Sequence, residues 1–208
     1  VAAELLIGLG LPLVIVLLFI FGARGLDKTS QGVVYETESA YNYIQVLQQN
    51  GYTMLRLNEG QGVHSIYQPD VYNFNGPWEQ VLTAPFFNTA PISRSDIKSM
   101  AIVGLAAGTT AREAFAAFPN IQIDGIEIDP KIVDVGRQYF GMDLPNLNVI
   151  IQDGRYGLAH SPRQYQIISI DAYRPPYIPW HLTTQEFFTE VRDHLTEDGV
   201  VTINVGRA

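Results

Sequence analysis

The chain has 208 residues, of which 47% are hydrophobic, and it contains no cysteine. The lack of cysteine excludes disulfide bonds and thiolate metal sites, and nothing in the composition points to an oxidising compartment. The formal net charge is -8, without any cluster of Lys and Arg, which argues against a nucleic-acid-binding surface because such surfaces bind by neutralising phosphates. Composition therefore favours a small-molecule ligand, and the acidic balance favours a cationic one.

An uncharged apolar run occupies residues 5–23. At about 1.5 Å rise per residue, a helix of this length crosses the roughly 30 Å hydrocarbon layer of a bilayer, so we expect one transmembrane helix. A cleaved signal peptide is the alternative, but the run exceeds the usual ~7–15-residue apolar core and no basic segment precedes it. Arg24 and Lys28 follow the run, so the positive-inside tendency predicts a membrane-anchored protein whose following domain faces the cytoplasm.

The sequence divides into three predicted regions. Residues 1–31 form the transmembrane helix and a linker, residues 32–75 a small antiparallel β-domain, and residues 76–208 a Rossmann-like domain. The chain begins with Val1 rather than methionine, and its last residues, 200–208, read as a strand with no stop signal after it. We therefore expect a fragment of a longer protein, with the C-terminal part of the last domain incomplete.

The β-domain is predicted from alternating apolar residues at 43–47 and 52–57, with Asn50-Gly51 between them. Asn-Gly between alternating segments is a strong hairpin signal. A third strand is expected at residues 63–67, and a helix over residues 77–87 leads into the next domain, with Pro77 at a permitted N-terminal position.

Beyond Ser95, short apolar strands alternate with helical stretches, which predicts an α/β fold with a doubly wound parallel sheet. Strands are expected at residues 99–103, 121–128, 147–152, 167–171 and 200–205. Helices are expected at residues 110–118, 130–139 and 184–195, where apolar residues recur at helical spacing.

Small residues at the first strand-to-helix turn, Gly104, Ala106 and Gly108, indicate a backbone that approaches a ligand, although tight helix packing alone would also explain them. Glu127 ends the next strand, about 20 residues on, which is where an acidic residue accepts hydrogen bonds from ribose hydroxyls. The spacing at residues 104–109 departs from the dinucleotide fingerprint, which disfavours an NAD site. A nucleoside site is the better interpretation.

Two further carboxylates follow strands. Asp153 can accept a hydrogen bond from an adenine amino group, and Gly154 leaves room for the base to approach. The alternative is that Asp153 only forms a turn. Asp171 ends the fourth strand before an aromatic, proline-rich loop, at the sheet edge where ligands bind in such folds. It can take a proton from an attacking amine, and a helix-capping role is the alternative.

These segments together resemble the spermidine/spermine synthase family in order and spacing. The resemblance is carried by residues 104–113, 123–140, 149–154 and 165–188, and residues 35–67 look like that family's N-terminal β-domain. The chain looks especially like membrane-anchored bacterial members. The resemblance implies a class I methyltransferase-like fold, decarboxylated S-adenosylmethionine as co-substrate, attack by an amine or polyamine nitrogen, no metal and no tightly bound cofactor.

When the family's motifs are matched residue by residue, the resemblance implies that Glu127 binds the ribose hydroxyls and that Asp153 and Gly154 bind the adenine. It also implies that Asp171 is the base. The implied donor contacts are Asn42, Gly104, Ala106, Gly108, Glu127, Ile128, Asp153 and Gly154. The implied substrate contacts are Tyr41, Gln61, His64, Tyr173 and Arg174, where either Gln61 or His64 corresponds to a further donor-contacting Gln of the family.

Three departures from the family concern the amine side. The Asp of the family's glycine-rich loop, which contacts the donor's aminopropyl end, is Ala107, and an acceptor-binding Asp is Arg174. The segment Pro77-Trp78-Glu79 lacks a substrate-side Tyr. A guanidinium would repel a cationic acceptor by about 1–4 kcal/mol at ~4 Å, so Arg174 instead suits a carboxylate on the ligand.

Three functions therefore compete. The leading hypothesis is an aminopropyltransferase-like enzyme with an undetermined acceptor. Methyl transfer from intact S-adenosylmethionine is the second, favoured by Ala107 and Arg174. A non-catalytic membrane sensor or transport-coupled domain that binds polyamine or nucleoside is the third. His160, His181 and His194 show no metal-ligand spacing. His181, in the loop after Asp171, can line the acceptor pocket but is not included in the predicted site. The sequence leaves the oligomeric state open, a homo-oligomer included.

Overall fold

The computed structural model describes residues 12–18, 31–58, 62–89, 92–172 and 178–205. Contacts divide the chain into two compact units, Val1–Val33 and Val34–Ala208. In the first unit, residues 12–17 are helical and the side chains of residues 12–18 are exposed. No helix among the described residues is long and apolar enough to cross a membrane, and most of the run at residues 5–23 lies outside them.

The rest of the described chain is built around two sheets. The first is antiparallel, with strand order β1-β2-β3-β4. Its strands are β1 (Val33–Glu38), β2 (Tyr43–Gln49), β3 (Tyr52–Leu57) and β4 (Val63–Tyr67). Gln49 pairs with Tyr52 across the hairpin, and both turn residues have positive φ, 53° at Asn50 and 82° at Gly51. This is the type I′ geometry that Asn-Gly favours, and the hairpin prediction is confirmed.

The second sheet is parallel, with strand order β7-β6-β5-β8-β9. Its strands are β5 (Ser99–Val103), β6 (Gln122–Glu127), β7 (Leu147–Ile151), β8 (Tyr165–Ile170) and β9 (Leu195–Ile203). The helices are α1 (Pro77–Gln80), α2 (Thr109–Ala117), α3 (Pro130–Tyr139), α4 (Gly154–Ala159) and α5 (Gln185–Asp193).

Alternate residues of the parallel strands face opposite layers of the core. Met100 and Ile102 of β5 pack with α2 and α3 residues on one face. Ala101 and Val103 pack on the other face, with residues of α4 and α5. Helices therefore cover both faces, as the continuous apolar strands require, and the predicted doubly wound arrangement is confirmed.

The antiparallel sheet packs against α3. Ile44, Val46 and Leu55 form a buried cluster with Ile132 and Val135 of that helix. This contact brings the small sheet beside the carboxyl edge of the parallel sheet. The predicted division of this region into residues 32–75 and 76–208 stays a prediction.

Four elements differ from expectation. Strand β1 (Val33–Glu38) was not among the three strands predicted for the first sheet. The helix expected over residues 77–87 is α-helical only over Pro77–Gln80 and continues as a 3₁₀ helix over Val81–Phe87, because Pro85 lies inside it and offers no N–H. Helix α4 was not predicted, since its six residues are too few to show a helical period. Strand β9 begins at Leu195, five residues before the predicted strand, through a segment of polar residues.

Candidate functional site

The parallel sheet has its topological switch at β5, because β6 lies on one side of β5 and β8 on the other. Ligands of open α/β sheets bind in the crevice outside the carboxyl ends of the strands at such a point. The first cleft opens there. The predicted site residues in its lining are Tyr41, Asn42, His64, Gly104, Ala106, Glu127, Ile128, Asp153, Gly154 and Asp171.

Of the four other predicted site residues, the structure describes Gly108 alone. Gly108 is the N-cap of α2, with φ of 89°. Gln61, Tyr173 and Arg174 lie outside the described residues, so their predicted roles stay predictions.

Gly104 brings the ends of β5 and β8 together. Its φ is +93°, and a Cβ at this position would lie 2.6 Å from the backbone oxygen of Asp171. The Asp171 N–H donates to the carbonyl of Val103 at 2.8 Å. A side chain at Gly104 would therefore displace Asp171, which explains why this turn needs glycine.

Glu127 is held by the backbone on both sides. Its side chain is buried, with only 7% of the residue exposed. The N–H of Ala106 donates to Oε2 at 2.9 Å, and the N–H of Asp129 donates to Oε1 at 3.0 Å. Burial raises the pKa of this carboxyl, while the backbone donors act in the opposite direction. Each oxygen keeps a second lone pair, so the carboxylate can still accept from hydroxyls of a ligand in the first cleft.

Asp153 is engaged at both oxygens. It is the N-cap of α4, where Oδ1 accepts from the N–H groups of Arg155 and Tyr156, both at 3.0 Å. Its Oδ2 lies 2.9 Å from Nε2 of His181. Arg155 donates to the carbonyl of His181 at 3.4 Å and forms a bidentate pair with Glu190 at 2.8 and 2.6 Å. His181 thus lines the first cleft beside Asp153.

Asp171 follows β8 and is partly buried. Its Oδ1 accepts a hydrogen bond from Nδ2 of Asn204 at 2.8 Å. Asn204 follows β9, and its N–H donates to the carbonyl of Ile170 at 2.9 Å. Burial raises the pKa of Asp171, and the Asn204 hydrogen bond opposes that rise. The arrangement gives a carboxylate of increased basicity at the edge of the cleft.

Asn42 connects the two sheets. Its Nδ2 donates to Oδ2 of Asp129 at 3.0 Å, and its Oδ1 accepts from Nδ2 of Asn58 at 3.0 Å. Ser39 Oγ donates to the same Asp129 oxygen at 2.5 Å. Asn42 lines the first cleft, but both ends of its carboxamide already bind protein groups.

The second cleft adjoins the first and shares His64, Gly104, Ala106 and Asp171 with it. It is lined by Gly62, Val63, His64, Ser65, Pro77, Trp78, Gly104, Leu105, Ala106, Thr109, Thr110, Asp171 and Asn204. Asp171 is the only carboxylate among these described lining residues. Burial lowers the pKa of His64, which favours its neutral form. Asp171 therefore stands where the first and second clefts meet.

Asn204 and His181 line these clefts but are not among the predicted site residues. Asn204 could have been found from its position directly after the last strand, since carboxyl ends of parallel strands meet at one edge. His181 was considered only as a residue lining the acceptor pocket, because only the folded loop brings it to Asp153, 28 positions earlier in the chain.

The chain is similar to several known proteins. The model of the spermine/spermidine synthase domain matches residues 85–206. A probable polyamine aminopropyl transferase of Bifidobacterium longum is 37% identical over 178 residues, which cover 83% of this chain and 37% of that protein. A polyamine aminopropyltransferase of Vibrio vulnificus is 29% identical over 205 residues, covering 91% of this chain and 66% of that protein.

The fold is also that of a solved structure. A probable spermidine synthase from Corynebacterium glutamicum superposes with a TM-score of 0.71 at 18% identity, over 82% of this chain and 63% of that one. The chain thus spans less than two thirds of the length of each of these relatives. The family match covers more than half of the chain and includes β5 to β9 of the parallel sheet. The chain belongs to the spermine/spermidine synthase family.

Proposed function

We propose that this protein transfers an aminopropyl group from decarboxylated S-adenosylmethionine to an amine. The observation that carries the proposal is the position of Asp171, which lines both the first and the second cleft. A base at this junction can meet a donor held in one cleft and an amine that arrives through the other. The relative in Bifidobacterium longum is named a probable polyamine aminopropyl transferase, which supports the same reaction.

The donor would occupy the first cleft. Glu127 would accept hydrogen bonds from its ribose hydroxyls, and Asp153 with Gly154 would meet its adenine. Asp153 can do so through a remaining lone pair, although α4 and His181 already engage both its oxygens. The sulfonium and its propyl arm would then point towards Asp171. The proposal requires no metal and no tightly bound cofactor.

The proposed step is a displacement at carbon. The amine nitrogen attacks the methylene next to the sulfonium, a C–N bond forms, and the C–S bond breaks with its electron pair going to sulfur. Methylthioadenosine is the leaving group, and the proton from the nitrogen passes to the Asp171 carboxylate. The pKa of Asp171 is raised by burial, which makes it a better proton acceptor than an exposed aspartate.

Turnover with a panel of amines tests the proposal. The purified protein is incubated with decarboxylated S-adenosylmethionine and diamines, triamines, monoamines or amino acids, and methylthioadenosine is quantified by chromatography. We expect release that depends on the amine. If no amine gives release above the amine-free control, the proposed reaction is wrong.

Methyl transfer is a second candidate, favoured by one observation. Ala107, which stands where the family has an aspartate for the aminopropyl end, is fully buried, and the described lining of the second cleft holds no other carboxylate than Asp171. Titration calorimetry with the two donors separates the candidates. Tighter binding of intact S-adenosylmethionine would favour methyl transfer, and tighter binding of the decarboxylated form would contradict methyl transfer.

We also propose that the N-terminal run attaches the chain to a membrane. The described part supports this with exposed apolar side chains, from 43% at Leu17 to 61% at Leu18. Co-sedimentation with phospholipid vesicles tests the proposal. The full chain should sediment with the vesicles and a chain that starts at residue 31 should not, whereas equal behaviour of the two would contradict it.

A further inference from the structure

Glu113 is a buried acid that the proposed reaction does not use. It lies on α2, one turn after Thr109 and Thr110 of the second cleft, and it is only 2% exposed. No N–H or O–H group among the described residues donates to either of its carboxyl oxygens. An ionised carboxylate would be strongly disfavoured in such a place.

The carboxyl group that acts on Glu113 from another element is that of Glu79 on α1. Helices α1 and α2 are in contact. Glu79 is the acceptor of the pair, because the backbone N–H groups of Phe74 and Gly76 already donate to its two oxygens. Two adjacent carboxyls of this kind share one proton, and Glu113, which has no other donor, is the one that carries it.

Glu79 binds the two residues that hold the Trp78 ring. A Cβ on Gly76 would lie 2.5 Å from that ring, so the ring lies directly over Gly76. The Phe74 ring meets Trp78 edge to face, with centroids 6.5 Å apart. Trp78 in turn lines the second cleft, as Asp171 does. A chain of contacts therefore runs from Glu113 through Glu79 to the wall of this cleft.

The charged and titratable groups around Glu113 are few. Glu79 faces it from α1, and Arg112 is its neighbour on α2. The Arg112 guanidinium lies over the rings of Tyr67 and Tyr72, 4.4 and 5.0 Å from their centroids. Burial raises the pKa of Glu113 to about 8, the Glu79 charge adds to this rise, and Arg112 opposes it.

We propose that Glu113 is a neutral carboxylic acid whose O–H donates to Glu79, and that this pair positions Trp78 as a wall of the amine side of the site. Glu113 is a positioning residue, since it acts through Glu79 and Trp78 without contact to substrate. The part of the inference that concerns the amine rests on the proposed function. The pair itself does not.

Two variants test the pair. Glu113→Gln keeps an N–H donor towards Glu79 but cannot ionise, whereas Glu113→Leu has a similar size and no donor. Exposed Glu186 on α5 supplies the matched control, Glu186→Gln. With a Trp180→Phe background, Trp78 is the sole tryptophan of the chain, so its fluorescence and acrylamide quenching report directly on the second cleft.

We expect Glu113→Leu to increase the quenching of Trp78 and to raise the KM for the amine about tenfold, the usual effect of a lost hydrogen bond to a charged group. The KM for the donor should stay within error. Glu113→Gln should restore both values. In the parent protein, quenching should increase as the pH rises through about 8 and Glu113 ionises, and Glu113→Gln should show no such increase.

The proposal is overturned if Glu113→Gln behaves like Glu113→Leu, or if parent and Glu113→Gln show the same quenching at every pH. Should Glu113→Leu fail to fold, the comparison of parent with Glu113→Gln across pH still decides. The fluorescence needs no turnover. If the protein transfers no group to any amine, the proposed function is wrong, but the fluorescence test of the Glu113–Glu79 pair can still be carried out.

Discussion

Asn204 donates a 2.8 Å hydrogen bond to Oδ1 of Asp171, and each of the two residues directly follows a strand of the parallel sheet. This contact fixes the orientation of the carboxylate that we propose as the base. It also favours the charged form of Asp171 against the effect of burial. We therefore expect Asn204 to position Asp171 and to lower its pKa.

Replacing Asn204 by leucine should shift the pH profile of turnover. Asp171 accepts a proton only when ionised, so the rate is lost as the pH falls through its pKa. Removal of the Asn204 hydrogen bond raises that pKa, so the acid limb of kcat/KM should move to higher pH. The measurement is kcat/KM from pH 4 to 8, with exposed Asn120→Leu as the control. An unchanged acid limb would show that Asn204 does not tune Asp171.

Glu127→Gln should weaken nucleoside binding. The carboxylate accepts a hydrogen bond from the N–H of Ala106 and from that of Asp129. The amide of glutamine has only one oxygen, so its NH₂ group would face one of these N–H donors and lose that hydrogen bond. Loss of the charge-assisted bonds to a ribose should reduce affinity roughly 10–100-fold. Calorimetry with methylthioadenosine measures the effect, and exposed Glu186→Gln is the control. Equal affinity in both variants would place the ribose elsewhere.

Asn42→Ala should reduce stability more than donor affinity. Both ends of the Asn42 carboxamide bind protein groups, and its loss removes a donor from Asp129, which is fully buried. We expect a cost of about 1–3 kcal/mol, which corresponds to a Tm lower by about 2–10 °C. Thermal unfolding and calorimetry on the same sample compare the two effects. A large loss of affinity with an unchanged Tm would instead support the direct donor contact predicted from the sequence.

Gly104→Ala should disable the site by displacing Asp171. The new Cβ would lie 2.6 Å from the Asp171 carbonyl, at a φ of +93° that alanine adopts only with strain. We expect a loss of roughly 1–3 kcal/mol in stability and a fall in kcat greater than the rise in donor KM. Urea unfolding and steady-state kinetics check both. Wild-type kinetics in this variant would mean that the backbone at Asp171 can move freely.

Much of the architecture could be predicted from local pattern. The Asn50-Gly51 turn and the apolar strand at residues 99–103 follow from short-range rules, and the structure has both where they were expected. Strand ends then predicted which carboxylates share one edge, because parallel strands end together. Glu127, Asp153 and Asp171 accordingly line one cleft.

The contacts that tune these residues could not be predicted in the same way. The Asn204–Asp171 bond joins residues 33 positions apart, and the His181–Asp153 contact joins residues 28 positions apart. No local spacing rule connects such pairs, since they depend on how β9 and the loop before α5 pack. The burial of Glu113 is of the same kind, because helical periodicity alone would leave an acid on an exposed face.

The most direct test of the account is amine-dependent release of methylthioadenosine by the parent protein and by Asp171→Asn, with exposed Asp134→Asn as the control. We predict that Asp171→Asn lowers kcat about 10²–10⁴-fold, the usual contribution of a general base, and binds methylthioadenosine as tightly as the parent. Asp134→Asn should match the parent in both. Undiminished turnover in Asp171→Asn would contradict the central claim that this carboxylate takes the proton from the attacking amine.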